Sequence, residues 1–245
     1  MKTAIITGAS SGIGEVTAKA LAENGFNVVL IARREALLVK LRDELEAQGH
    51  SALVCPADIT DRNQVKAAVG NALEKWGRID VLINNAGIMP LSFMKNLHED
   101  EWDRMIDVNI KGVLNGIGAV LPAMQAQNRG HIINVSSVAG IKVMPTAAVY
   151  CGTKFAVEAI TEGLRQEFAM SGTLRTTVIR PGAVATNLMG TITDPEVQPF
   201  LEQGALGDFQ FIQPKAIADA IVFAVNQPLE VSVNEVVIRP TAQPF

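Results

Sequence analysis

The chain has 245 residues, a formal net charge of −4, 48% hydrophobic residues and 20 glycines. Its Lys and Arg residues are dispersed, so no basic patch marks a nucleic-acid partner, and no apolar run reaches the ~18 residues of a membrane span. The apolar start, Met1 to Thr7, breaks at Gly8, too early for a signal peptide. Two cysteines, Cys55 and Cys151, are too few for a disulfide framework and leave room for one bridge at most. A cytoplasmic protein with free thiols is the expectation.

In chain order, short apolar runs alternate with segments of helical period. Strands are expected at 4–7, 27–32, 52–55, 81–84, 131–135, 176–180 and 235–238. Helices are expected near 12–24, 35–48, 61–76, 99–128, 149–170 and 214–226, with Gly25, Gly49, Gly77 and Gly130 as stops before the following strands. The nearly all-apolar first run suits a strand covered on both faces. This alternation predicts an α/β fold, a doubly wound, Rossmann-like parallel sheet of about seven strands in a single domain spanning 1–245. Residues 182–213, rich in Gly, Pro and Thr, read as a functional loop or lid.

The first strand runs into Thr7-Gly8-Ala9-Ser10-Ser11-Gly12-Ile13-Gly14, and a helix follows. Glycines there allow a tight turn and bring backbone N–H groups close to a pyrophosphate, while the helix N-terminus adds positive partial charge. Gly8, Ser10, Ser11, Gly12, Ile13 and Gly14 are therefore candidate dinucleotide contacts. The glycine spacing, G-x-x-x-G-x-G, differs from the G-x-G-x-x-G fingerprint. A carboxylate at the end of the second strand would accept from the ribose 2′-hydroxyl of NAD. This chain instead reads Ala32-Arg33-Arg34. An arginine can form charge-assisted bonds to a 2′-phosphate that a carboxylate would repel. NADP(H) is the expected cofactor, through Arg33 and Arg34, although Arg34 also reads as a solvated residue at a helix start.

The fifth strand ends at Asn134-Val135-Ser136-Ser137, and the next helix opens with Tyr150-Cys151-Gly152-Thr153-Lys154. A four-residue spacing places Tyr150 and Lys154 on one helical face, their Cβ atoms roughly 5–6 Å apart. One ammonium about 5 Å from a phenol, at an effective dielectric of about 20, contributes roughly 3 kcal/mol, about two pKa units. On that reckoning Lys154 would bring Tyr150, whose ordinary pKa is about 10, toward neutrality as a general acid/base. Tyr150 is the only tyrosine in the chain. The three histidines, His50, His98 and His131, have no metal-ligand spacing, and no metal is expected.

Taken together, Thr7-Gly8-x-x-x-Gly12-x-Gly14, Asp58, Asn84-Asn85-Ala86-Gly87, Asn109, Ser137, Tyr150-x-x-x-Lys154 and Pro181-Gly182 resemble the short-chain dehydrogenase/reductase family in its compact single-domain branch. The resemblance covers essentially the whole chain. It implies Asp58 at the adenine amino group with Ile59 alongside, although Asp58 could equally serve in capping the next helix. It implies Asn84, Ala86 and Gly87 at the ribose, and Pro181, Gly182, Val184 and Thr186 at the nicotinamide carboxamide, with Tyr150 and Lys154 also touching the cofactor. Ser137 would hold the substrate oxygen, and strand alternation points Ser136 the other way. Asn109 would distort its helix and hold a water that relays protons from Lys154.

The implied activity is NADP(H)-dependent interconversion of a carbonyl and a secondary alcohol. A 3-hydroxy acid or serine-type dehydrogenase on the same site is the alternative, and a non-catalytic NADP-sensing protein or a lyase or isomerase on the scaffold are rivals. Met89, Met94, Met144 and Met189 follow strands and would suit a hydrophobic substrate pocket or, equally, core packing. Arg180, Lys142 and Lys215 are the cations that could meet an acidic substrate. The resemblance also implies that the 99–128 and 149–170 helices pack between copies, in a homotetramer or a homodimer.

Overall fold

The computed structural model describes residues 1–202 and 209–244. Its order is β1 (Lys2–Thr7), α1 (Gly12–Glu23), β2 (Phe26–Ala32), α2 (Glu35–Ala47), β3 (Ala52–Pro56), α3 (Arg62–Trp76) and β4 (Val81–Asn84). There follow α4 (Glu99–Ile106), α5 (Gly112–Ala126), β5 (Gly130–Val135), α6 (Ala148–Ala169), β6 (Leu174–Pro181), α7 (Val197–Phe200), α8 (Pro214–Val225) and β7 (Glu235–Ile238). The described strands form one seven-stranded sheet in the order β3-β2-β1-β4-β5-β6-β7, and every neighbouring pair is parallel.

Alternation along the strands builds the two cores. Ala4, Ile6, Val28, Leu30 and Ile133 face α1, α2 and α8, meeting Leu21, Leu38, Leu45, Ile217 and Ile221. Ile5, Val29, Ile31, Leu82 and Ile132 face the other way, onto Val69, Val113, Val120, Met124 and Val157 of α3, α5 and α6. Each such side chain, fully buried, contributes about 1.5–3 kcal/mol of transfer free energy. A third cluster, with Leu91, Met105, Tyr150, Cys151 and Val197, lies beyond the strand ends.

Two sequence expectations change. The helical segment near 99–128 is not one regular helix: α4 and α5 are joined by a π-helical turn at Asp107–Lys111, with Asn109 inside it. Gly25, Gly49 and Gly77 do lie in left-handed conformations after their helices, but Gly130 is not a helix stop. Asn128, at φ 53°, turns the chain out of α5. Gly130 opens β5, where a side chain would collide with Met124 and Leu174, so close packing explains this glycine.

The strand order reverses at β1, which pairs with β2 on one side and β4 on the other. In such sheets ligands bind outside the C-terminal strand ends at this switch point. A cleft of about 620 Å³ opens there, lined by residues that follow β1 through β6.

Candidate active site

The turn after β1 is built for close approach. Gly8 has φ 69°, and a Cβ on Gly14 would collide with the Gly8 carbonyl. A Cβ on Gly12 would stand 3.2 Å from Thr186 Cγ2, so the turn faces the 182–186 segment across the cleft. Ser11 N-caps α1 without a side-chain capping bond, leaving first-turn N–H groups available to an anion. Gly8, Ser10, Ser11, Gly12 and Ile13 line the cleft, whereas Gly14 is buried behind them.

Thr7 and Asn85 brace this turn against the end of β4. Thr7 Oγ1 accepts from Asn85 N (3.0 Å) and Ala86 N (3.1 Å), and Asn85 Nδ2 donates to the Thr7 carbonyl (3.0 Å). Ala86 and Gly87 line the cleft. Asn84 departs from the sequence expectation. It is 2% exposed, and its Nδ2 donates to Asn134 Oδ1 (2.9 Å), inside the core rather than toward a ribose. The motif reads as two neighbouring asparagines, and strand alternation sends the first one inward.

Arg33 and Arg34 both line the cleft and are exposed. Arg34 is the more firmly placed: Nη2 donates to Ser10 Oγ (2.8 Å) and Ser11 Oγ (2.7 Å). The solvated reading of Arg34 is therefore replaced by a guanidinium held against the phosphate turn. Arg33 makes no hydrogen bond or ion pair among the described residues and points its charge at the same region.

Asp58 Oδ1 accepts from Thr60 N (2.9 Å) and Thr60 Oγ1 (2.8 Å). The N-cap of α3 is Asp61, which accepts from Asn63 N and Gln64 N. Asp58 thus lines the cleft without serving as that cap. Ile59 also lines it, backed by Gly112, and Asn115 Nδ2 holds the Ile59 carbonyl at 3.0 Å.

Ser137, Tyr150 and Lys154 converge on the cleft floor. Lys154 is 6% exposed, its Nζ donates to the Val135 carbonyl (3.0 Å), and the same Nζ lies 5.7 Å from the Tyr150 ring centroid. Ser137 Oγ accepts from Ala139 N (3.1 Å), which aims the hydroxyl. Ser136 is buried, its hydroxyl 3.4 Å from the Lys154 carbonyl. Burial pushes the Tyr150 phenol up to about 12, with the Ser137 hydroxyl opposing it, and pushes Lys154 down to about 8, with Glu158 opposing it. The expected lowering of Tyr150 by Lys154 does not appear in the free site. The Coulomb estimate omitted desolvation, which acts on both groups and wins when both are buried.

Asn109 is 1% exposed and does not line the cleft. Its Oδ1 accepts from Ile88 N (2.9 Å), and its Nδ2 donates to the Ile88 carbonyl (2.9 Å) and to Thr153 Oγ1 (3.1 Å). It ties the loop after β4 to α6, one residue before Lys154.

Pro181, Gly182, Val184 and Thr186 line the opposite wall. Gly182 N donates to the Ile238 carbonyl (2.7 Å), Ala183 N to Gln243 Oε1 (3.0 Å) and Ala185 N to the Ile212 carbonyl (2.9 Å). A parallel bridge joins Val184 to Ile212. The Val184 N–H makes no bond among the described residues, which fits a carboxamide acceptor. Gln243 was not legible in the sequence: nothing near the C-terminus marks a residue that folds back to the cleft. The lid is pinned to the β4 loop by Asp194, which accepts from Phe93 N (3.1 Å) and Asn96 Nδ2 (2.9 Å). Residues 203–208 of the expected lid lie outside the described residues.

Cys55 and Cys151 are free thiols, both buried. Among the described residues no group of three or more His, Cys, Asp or Glu is arranged to hold a metal ion.

A parallel doubly wound sheet with a phosphate turn at its switch point and a Ser-Tyr-Lys floor defines a nicotinamide-dinucleotide oxidoreductase scaffold. The short chain dehydrogenase family model matches residues 2–197. An uncharacterised oxidoreductase from Staphylococcus saprophyticus is 52% identical over 244 residues, covering 99% of this chain and 97% of that protein. Among solved structures, an alcohol dehydrogenase from the archaeon Thermococcus sibiricus, complexed with 5-hydroxy-NADP, superposes with a TM-score of 0.87 at 31% identity. It covers 100% of this chain and 99% of that one. The closed form of a serine dehydrogenase complexed with NADP+ gives a TM-score of 0.86 at 28% identity, over 99% and 96% of the two chains. The chain belongs to the short-chain dehydrogenase/reductase family and is an oxidoreductase of that family.

Proposed function

We propose that this oxidoreductase is an NADP(H)-dependent carbonyl reductase that interconverts a ketone and a secondary alcohol. The observation that carries the reading is the convergence of Ser137, Tyr150 and Lys154 on one floor of the cleft. Preference for the 2′-phosphorylated cofactor is supported by Ala32, Arg33 and the Arg34 guanidinium held on Ser10 and Ser11. Asp58, Ile59, Ala86 and Gly87 would line the adenosine and ribose, and Pro181, Gly182, Val184 and Thr186 the carboxamide. When bound, the reduced nicotinamide supplies a hydride to the carbonyl carbon.

The remaining work falls to the chain. Ser137 orients the substrate oxygen, and Tyr150 gives its phenolic proton to that oxygen as negative charge develops there. A phenol held at about 12 keeps its proton at neutral pH, which supports the reductive direction. Lys154, tethered to Val135 through one N–H, keeps further N–H groups for the ribose and for reprotonating Tyr150. Asn109 fixes the floor of the site and, through the π-helical turn, would hold the relay water.

Exposed apolar residues on the outer helices, Ile106, Leu114 and Phe155, support assembly into a homotetramer or homodimer through α4, α5 and α6. No helix among the described residues is long and apolar enough to cross a membrane, and the buried free thiols fit a reducing, cytoplasmic setting.

The test is NADPH consumption over a panel of ketones, diketones and oxo acids, run beside NADH. Tyr150→Phe should abolish turnover while leaving cofactor binding measurable. Near-normal activity in that variant would remove Tyr150 as the proton donor.

A further inference from the structure

We infer that the substrate of this site is an uncharged carbonyl compound with apolar flanks, and that the site refuses compounds bearing a carboxylate beside the reacting centre. The inference rests on the carbonyl-reductase reading and sharpens it to a substrate class.

The two ends of the cleft differ in chemistry. Among the described residues four side-chain cations line it: Arg33, Arg34, Arg104 and Lys154. Arg34 is held on the phosphate turn, with Arg33 beside it at the end of β2, and Lys154 is tethered to Val135 in the floor. Arg104 lines the cleft together with Asp107 and Val108, three and four residues on, in the row that leads toward Gly112 and Ile59. The lid meets α4 through Glu101, Trp102 and Met105, none of which lines the cleft. Among the described residues no further cation lines the cleft.

What lines the substrate end is mainly apolar: Met89, Leu91, Met144, Met189, Phe209 and Phe211, with the uncharged Asn187 amide on the same lid segment. Thr191 is the hydroxyl that could have served a second oxygen, and it is committed. It accepts from Met89 N (3.1 Å) and donates to the Leu188 carbonyl (2.7 Å). The 182–213 segment contains no Lys or Arg, and carries Asp194, Glu196, Glu202 and Asp208.

Two distant cations that could have met an acid are engaged elsewhere. Arg180 is paired with Glu158 (2.8 Å) and with Glu235, and Lys215 with Asp219 (2.7 Å). Lys142 does not line the cleft. A carboxylate placed among these methionines and phenylalanines would give up its water without gaining a charged partner. A neutral ester, ketone or alkyl group of the same size would meet polarisable sulfur and ring surfaces that suit it.

Matched pairs isolate the charge. Ethyl 3-oxobutanoate and 3-oxobutanoate share the reacting ketone and differ in the carboxyl group, as do the corresponding 3-oxohexanoates. Initial rates of NADPH oxidation by the wild-type protein should give kcat/KM higher for each ester than for its acid by more than about tenfold. The ester value should also rise with the longer chain. A smaller ratio, or a preference for the acids, overturns the inference while Tyr150-dependent turnover leaves the reductase reading standing. Absence of Tyr150-dependent NADPH oxidation across both series overturns the reading and the inference together.

Discussion

The Arg34 guanidinium lies directly on the phosphate turn, with Nη2 2.7 Å from Ser11 Oγ and 2.8 Å from Ser10 Oγ. A side chain held there is already oriented toward a phosphate on the adenosine ribose, and little rotamer entropy remains to be lost on binding. Arg34→Ala should raise KM for NADPH by about 10- to 100-fold, the range for loss of a charge-assisted bond, while KM for NADH changes less than about threefold. Arg33→Ala should act in the same direction and more weakly, since Arg33 is not held. Equal losses for both cofactors in Arg34→Ala would assign the residue to the turn's structure instead. The comparison is made by steady-state kinetics with each cofactor.

Lys154 predicts a pH limb. Burial lowers its pKa to about 8 in the free site, so its charge is present below that value and lost above it. Reductive kcat/KM for NADPH, which reports the free enzyme, should be flat through neutrality and fall as pH rises through about 8. Lys154→Arg keeps the charge at all accessible pH. It should turn over more slowly, with a profile lacking that fall. A limb unchanged in the arginine variant would assign it to another group.

Gln243 predicts a cofactor effect from the far end of the chain. Its Oε1 accepts from Ala183 N at 3.0 Å, next to Val184, which lines the cleft. Gln243→Ala should raise KM for the nicotinamide cofactors by about fivefold, the worth of about 1 kcal/mol of hydrogen bonding, with a smaller change in kcat. Gln243→Glu retains an acceptor oxygen and should recover most of the loss. A fall in melting temperature with kinetics intact would make the residue a purely structural tie.

His131 predicts acid sensitivity. It is 1% exposed, its Nε2 is 2.7 Å from Thr177 Oγ1, and that hydroxyl donates to the Val233 carbonyl. Nε2 therefore carries the proton and Nδ1 is bare, without a partner among the described residues. Burial holds the ring down to about 3, against an unfolded value of 6.5. Between those values the unfolded chain binds the extra proton, so stability falls as pH drops from 6.5 toward 3, on the order of 2 kcal/mol by pH 5. His131→Gln keeps a donor for Thr177 and should flatten that dependence in denaturant titrations at pH 7 and pH 5.

Much of the fold was legible because strand and helix periods rarely conflict here. The β4 and β7 bounds read from the apolar runs coincide with the strands found, and the other strands differ by a residue or two. Readings failed where long-range packing decides. Gly130 looks like a helix stop until Met124 and Leu174 are brought beside it. Asn84 and Asn85 are equivalent in sequence, and only their places at the end of β4 separate a core amide from a brace on Thr7. The proximity of Lys154 to Tyr150 was readable from a four-residue spacing, but the depth at which both are buried was not. That depth reverses the expected shift of Tyr150. Gln243 is invisible without the tertiary fold, since 60 residues separate it from Ala183.

The bridge between Val184 and Ile212 has a consequence for how such a scaffold diversifies. It staples the two ends of the lid together on the protein side of the cleft. Beyond Thr186, the chain up to the Ile212 staple can lengthen, shorten or exchange side chains without pulling on the backbone that meets the nicotinamide. Substrate choice is thereby insulated from cofactor geometry. A lid transplanted from a relative between Thr186 and Ile212 should bring its own specificity and leave hydride chemistry intact.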